Sequence, residues 1–123
     1  MRYITDRKRV QGLGSGRDGT VHHWRFTVSS VLMVILAPAF VIVLAVGFGQ
    51  SHADVVSYFS KPFPAIVVCL TLIVGMWHLL QETNEAIEDY VHGVAGKLTL
   101  IAVAAYAYTL IAVGLFAIGQ MAL

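Results

Sequence analysis

Polar and apolar positions fall into long blocks along this chain. A polar, Gly-rich opening gives way to an apolar run near Trp24, and two more apolar runs follow. No Lys, Arg, Asp or Glu occurs from Phe26 to Ala53, from Phe63 to Gln81, or from Leu98 to Leu123. Each stretch is about 20 residues or more, and at about 1.5 Å per helical residue that crosses a hydrocarbon core of about 30 Å. Backbone polar groups in lipid must be satisfied within their own segment, so all three runs are predicted to be helices. The predicted spans are residues 24–48, 64–84 with the helical pattern continuing to 91, and 97–121. The fold class expected is an all-α integral membrane protein of three transmembrane helices, with a tail over residues 1–21 and a membrane domain over residues 22–123.

Punctuation between the blocks agrees with this layout. Pro38 falls inside the first span and removes one backbone hydrogen bond, so a kink is expected there. Gly47-Phe48-Gly49-Gln50-Ser51 ends that span, and residues 52–61 are predicted to form a short interfacial helix carrying Tyr58 and Phe59. Lys61-Pro62-Phe63-Pro64 then opens the second span, where proline suits a first helical turn. In the third span Ala105, Ala112 and Gly119 recur every seven residues, a small-residue stripe that allows another helix to approach closely. Gly12-Leu13-Gly14-Ser15-Gly16 is read as a solvated, flexible linker. No strand precedes it and no Gly-Lys-Ser/Thr follows, so it does not match a phosphate-binding loop.

Composition sharpens the class. Of the 123 residues, 58% are hydrophobic and 12% are charged, against about a quarter charged in a soluble domain. A self-sufficient soluble enzyme is excluded, because three spans leave no room for a catalytic domain. No nucleic-acid partner is expected; the lipid bilayer is. Arg2, Arg7, Lys8, Arg9, Arg17 and Arg25 precede the first span, whereas the two connections hold only Lys61 and Lys97. The positive-inside rule then places the N-terminus in the cytoplasm and the C-terminus in the periplasm. The first apolar run starts too late and is too long for a secretory peptide, and Asp6 and Asp18 interrupt what would be a basic transit segment. The expected location is therefore a bacterial inner membrane. Cys69 stands alone inside the second span, so neither a disulfide framework nor a cysteine metal site is expected.

Chemistry concentrates on the second span. His78 is an ionisable group in an apolar helix, expected away from both interfaces, and such groups are expensive enough to be functional candidates by default. The plainer alternative is a neutral histidine bonded to the backbone or a hydroxyl of another helix. Thr71, Gly75, His78, Glu82, Glu85 and Asp89 stand at offsets of 0, 4, 7, 11, 14 and 18, so they share one helical face. Gly75, one turn from His78, leaves space where a large planar group could lie against the backbone. A six-coordinate heme usually takes two axial side chains. This chain offers one at membrane depth, since His22, His23 and His92 fall near the cytoplasmic face and His52 lies outside. Heme binding would therefore require a second chain.

Asp89 follows His78 by eleven residues, about 16 Å along the axis, which brings Glu88-Asp89-Tyr90 to the interface. A phenol beside a carboxylate suits the reduction of a quinone, which needs a hydrogen-bond donor and a proton route. Equally, such residues cap a helix as it leaves the membrane. His22-His23-Trp24-Arg25 begins the first span; Trp and Arg there are ordinary interface anchors, and cations at that level also suit the propionates of a heme.

Taken together, these elements resemble the smaller, hydrophobic membrane anchor of bacterial succinate dehydrogenases. The resemblance rests on Gly19-Thr20-Val21-His22-His23-Trp24, on His78, and on Ile87-Glu88-Asp89-Tyr90-Val91-His92-Gly93, and it covers nearly the whole chain. It implies half of a heterodimeric heme-binding bundle, in which His78 is one axial ligand of heme b and the second anchor chain, the cytochrome b556 subunit, supplies the other. By the same resemblance Tyr90 contacts ubiquinone, with Asp89 beside it, and a flavoprotein and an iron–sulfur protein dock on the cytoplasmic face. Many such chains carry an arginine one turn into the first span. Here that region reads Phe26-Thr27-Val28-Ser29-Ser30, which leaves Arg25, His22 and His23 as the propionate candidates and Gly75 as the pocket candidate. Two other classes compete: a heme-free three-span adaptor or transporter subunit, and a fumarate reductase anchor.

Overall fold

The computed structural model describes residues 3–12, 14 and 18–123. Its helices are α1 (Asp6–Gln11), α2 (Asp18–Gly47), α3 (His52–Phe59), α4 (Pro62–Tyr90) and α5 (Gly93–Ala122). Among the described residues there is no strand. Three helices, α2, α4 and α5, are long and apolar enough to cross a membrane, as the uncharged runs require. Most of the linker predicted over residues 12–16 lies outside the described residues.

The helices outrun the spans read from hydropathy. α2 starts at Asp18, six residues before Trp24, and α5 starts at Gly93, four residues before Lys97. Hydropathy marks where lipid begins, but a helix already nucleated continues through polar residues because each added residue gains a backbone bond. The tail, expected to be flexible, also contains a helix. In α1 the Thr5 hydroxyl caps the first turn by accepting from the Lys8 N–H at 3.3 Å. Asp6 stands in its first turn and Lys8 and Arg9 in its last, charges matched to the helix dipole. Among the described residues α1 packs against no other helix.

Helix α2 continues through Pro38 unbroken. Ser51 caps α3, accepting from the Asp54 N–H at 3.3 Å and donating to its carboxylate at 2.6 Å. Pro62 occupies the first turn of α4, where its missing N–H would have had no intrahelical partner. Between α4 and α5 only Val91 and His92 intervene. That turn works through two glycines: Gly93 has φ +72°, and a Cβ on Gly96 would collide with the Val91 carbonyl.

Helix α4 is the middle of the molecule. It packs against α2 on one side and α5 on the other, whereas α2 and α5 do not pack on each other. The α2–α4 pair is antiparallel, with one register along its length: His22 meets Glu85, Ser29 meets His78, and Met33 meets Gly75. On the other side Leu72 of α4 fills the space beside Gly114 of α5. Buried apolar side chains among the described residues are few, namely Val43, Val67, Leu80, Ile87 and Ala107, and the outer faces stay apolar. Such a bundle is solvated by lipid or completed by another chain. The stripe of Ala105, Ala112 and Gly119 is not used inside the chain. Ala105 and Ala112 are exposed, and nothing lies within 4 Å of a Cβ built on Gly119.

Candidate functional site

The register of α2 against α4 builds the site around His78. One turn of α2 supplies both groups that hold the imidazole. The ring of Phe26 stacks on that of His78, with centroids 4.8 Å apart and planes 27° apart. Three residues on, the Ser29 hydroxyl lies 2.8 Å from Nδ1 of His78 and 2.8 Å from the Phe26 carbonyl oxygen. Ser29 is 2% exposed, so this contact is shielded from the surroundings. Nε2 of His78 is 3.3 Å from a carboxylate oxygen of Glu82, one turn further along α4, whose side chain is half exposed. The plainer sequence alternative, a histidine bonded to a hydroxyl of another helix, thus describes Nδ1 in the single chain. It leaves Nε2 facing a movable carboxylate.

Along α4, His78 stands toward the charged end. Arg25 precedes Ser29 by four residues and Glu82 follows His78 by four, which is about 6 Å along either axis. The imidazole therefore stands about one turn inside the last charged residues. The uncharged run from Phe63 to Gln81, centred on Leu72, places it there from the sequence.

Other predicted residues fall on both sides of this centre. Gly75 is buried against α2, and a Cβ there would meet the Met33 methyl at 3.4 Å and its sulfur at 3.6 Å. That is ordinary contact, and Gly75 also lines an apolar cavity of about 470 Å³ between the helices, with Met33, Thr71, Leu72 and Gly114. His22 is paired, with Nε2 2.8 Å from Glu85, both side chains about half exposed. His23 is exposed, and its backbone carbonyl accepts from the Thr27 hydroxyl at 2.9 Å. Arg25 is exposed and, with Trp24, Ser29 and Trp77, edges a groove of about 240 Å³ between α2 and α4. Asp89 and Tyr90 lie at the last turn of α4, and Tyr90 is 84% exposed.

Of the six residues predicted to share a face, Thr71, Gly75, His78 and Glu85 turn toward α2 or its contacts, whereas Asp89 ends in the open. The end of α4 is electrostatically adverse. Glu88 and Asp89 sit at the negative pole of the helix with no basic residue in the last turn, an arrangement that opposes the dipole by about 0.3–1 kcal/mol per charge. Nor does this serve as a cap, because carboxylates cannot donate to the free carbonyls there. Higher on the same helix, the side-chain carbonyls of Gln81 and Asn84 are buried without a donor among the described residues.

Sequence reasoning missed Phe26, Ser29, Gln81 and Asn84. Ser29-Ser30 was visible as a polar pair in an apolar run, but only the helix register shows that it meets His78.

The donor set limits what can be bound. Among the described residues no three His, Cys, Asp or Glu side chains come together to hold a bare metal ion. A tetrapyrrole brings four equatorial nitrogens of its own and asks only one or two side chains of the protein. A single held imidazole fits that demand and does not fit a protein-only metal site.

Residues 1–118 match the family described as succinate dehydrogenase/fumarate reductase transmembrane subunit. The chain is 42% identical over 123 residues to a succinate dehydrogenase hydrophobic membrane anchor subunit of Paracoccus denitrificans, covering 100% of this chain and 95% of that protein. It is 28% identical over 89 residues to a succinate dehydrogenase membrane anchor subunit of Reclinomonas americana, covering 69% of this chain and 73% of that one. No solved structure matches it.

Proposed function

The chain belongs to the succinate dehydrogenase/fumarate reductase transmembrane subunit family, and from that premise we propose that it is the membrane anchor of a succinate dehydrogenase. It would hold a flavoprotein and an iron–sulfur protein at the membrane and share a heme b with a second small anchor chain. Catalysis belongs to the assembly, in keeping with the membrane anchor names of both relatives. The observation that carries the heme part is the held imidazole of His78, fixed on one edge by α2 and facing the half-exposed Glu82 carboxylate on the other.

In this reading His78 supplies one axial nitrogen, and heme b, when bound, supplies a one-electron redox centre. Arg25, a cation, and His23, a hydrogen-bond donor, are both exposed and available to the propionates, whereas His22 is engaged by Glu85. Tyr90 donates its phenolic hydrogen to a carbonyl oxygen of ubiquinone. Asp89 beside it passes protons from the aqueous side. That pairing gives Tyr90 and Asp89 a use for their exposure and accounts for carboxylates kept where the helix dipole disfavours them. The tail lies in the cytoplasm of a bacterium and the C-terminus in the periplasm, because the basic residues gather ahead of α2. The family also serves fumarate reductases. Both named relatives being succinate dehydrogenase anchors favours the succinate reading.

Purification of the tagged chain from its native membrane in mild detergent tests this. The expected result is a b-type reduced-minus-oxidised spectrum with a flavoprotein, an iron–sulfur protein and a second small membrane chain. A colourless preparation without those partners contradicts it.

A further inference from the structure

We infer that Ser29 is a positioning residue for His78, the fixed acceptor for the Nδ1 hydrogen when Nε2 is given to iron; the inference rests on the heme reading above.

The argument is one of hydrogen-bond accounting. The Ser29 hydroxyl has one hydrogen and two neighbours at 2.8 Å, the Phe26 carbonyl oxygen and His78 Nδ1. The carbonyl can only accept, and the Ser29 hydroxyl donates to it, as Ser30 Oγ does at 2.9 Å. With its hydrogen so placed, the hydroxyl turns lone pairs toward Nδ1 and can accept from an Nδ1–H. In the metal-free chain the Glu82 carboxylate, which can only accept, draws a hydrogen to Nε2; giving Nε2 to iron moves the imidazole hydrogen to Nδ1, where the Ser29 acceptor already stands. At 2% exposure Ser29 admits little water that could take over either bond. The Phe26 ring, stacked 4.8 Å from the imidazole, restricts rotation about the remaining axis.

Both devices come from a single turn of α2, so that turn presents Nε2 away from itself. Nε2 is bordered by the Glu82 carboxylate at 3.3 Å. The Glu82 side chain is half exposed and has rotatable bonds enough to move aside, whereas Ser29 is buried in the helix–helix contact and cannot. A ligating histidine whose other N–H is given to a fixed acceptor gains basicity and a set orientation, and losing such an acceptor typically weakens the site about 10–100-fold.

The test uses the intact complex with Ser29→Ala, Ser29→Thr and Ser29→Cys, reading heme content, midpoint potential and the electron paramagnetic resonance of the oxidised heme. Ser29→Ala removes the acceptor. A poorer imidazole donor favours ferrous over ferric iron by about tenfold, a rise of about 59 mV for one electron, with altered g-values. Ser29→Thr keeps the hydroxyl and restores the wild-type potential and signal. Ser29→Cys conserves volume with a weak acceptor, and shifts in the same direction as Ala. Loss of heme in Ala with retention in Thr supports the inference equally. Wild-type potential and g-values in Ala or Cys overturn it, as does equal loss in Ala and Thr. In those cases a heme-containing wild-type complex would leave His78 as the ligand, whereas a colourless wild-type complex removes the heme reading and this inference with it.

Discussion

On α4 the informative side chains divide by what they touch. His78 is held by Phe26 and Ser29, and Glu85 by His22 of α2, while Asp89 and Tyr90 are exposed at the helix end. That division sets separate expectations. Tyr90→Phe keeps the ring and removes the hydrogen-bond donor, so quinone reduction by the complex should fall about 100-fold with the heme spectrum unchanged. Steady-state quinone reduction alongside absorbance checks both halves; a fall in absorbance with activity would place Tyr90 in the fold instead. The His22–Glu85 pair is half exposed, and such pairs contribute about 0–1 kcal/mol. Glu85→Gln should therefore leave the thermal stability and heme content of the complex nearly unchanged. At this scale the sequence exposed His78 through its apolar surroundings and Asp89-Tyr90 through their spacing. It could not expose Ser29, because a serine in an apolar span usually bonds its own helix, as Ser30 does to the Phe26 carbonyl.

The three long helices were legible because uncharged runs of membrane length admit little else. Their ends were less so. α2 and α5 begin in polar sequence, and α1 depends on a local cap and charge placement within a segment that composition marks as flexible. Which small residues matter was also hidden. The evenly spaced Ala105, Ala112 and Gly119 face outward, while Gly96 and Gly114 accept close neighbours. This predicts a contrast. Gly96→Ala drives a methyl into the Val91 carbonyl and should cost about 1–3 kcal/mol, lowering the melting temperature of the purified complex. Gly119→Ala meets nothing within the chain. It should be silent unless a partner helix lies on that face, in which case crosslinking from position 119 would capture that helix.

As a whole the molecule is an incomplete bundle: α4 is covered on two sides, α2 and α5 never meet, and most large apolar side chains face outward. Among the described residues, a single held imidazole, two orphaned buried carbonyls and an acidic helix end with no basic residue in its last turn repeat that incompleteness in polar terms. A second anchor chain would cover the apolar faces and bring the other axial ligand, so expression of this chain without it should yield no b-type absorbance. Topology belongs to the same scale. With the basic tail inside, a reporter fused after Leu123 should be active only in the periplasm, and cytoplasmic activity would reverse the orientation.

The most direct measurement concerns His78 itself. The complex carrying His78→Ala is purified and its heme content and electron paramagnetic resonance are compared with wild type. The account predicts a complex that retains its flavoprotein and iron–sulfur protein but has lost its heme, or holds it with altered axial ligation. Wild-type heme content with an unchanged two-ligand signal would contradict it, and His78 would then be a packing residue bonded to Ser29.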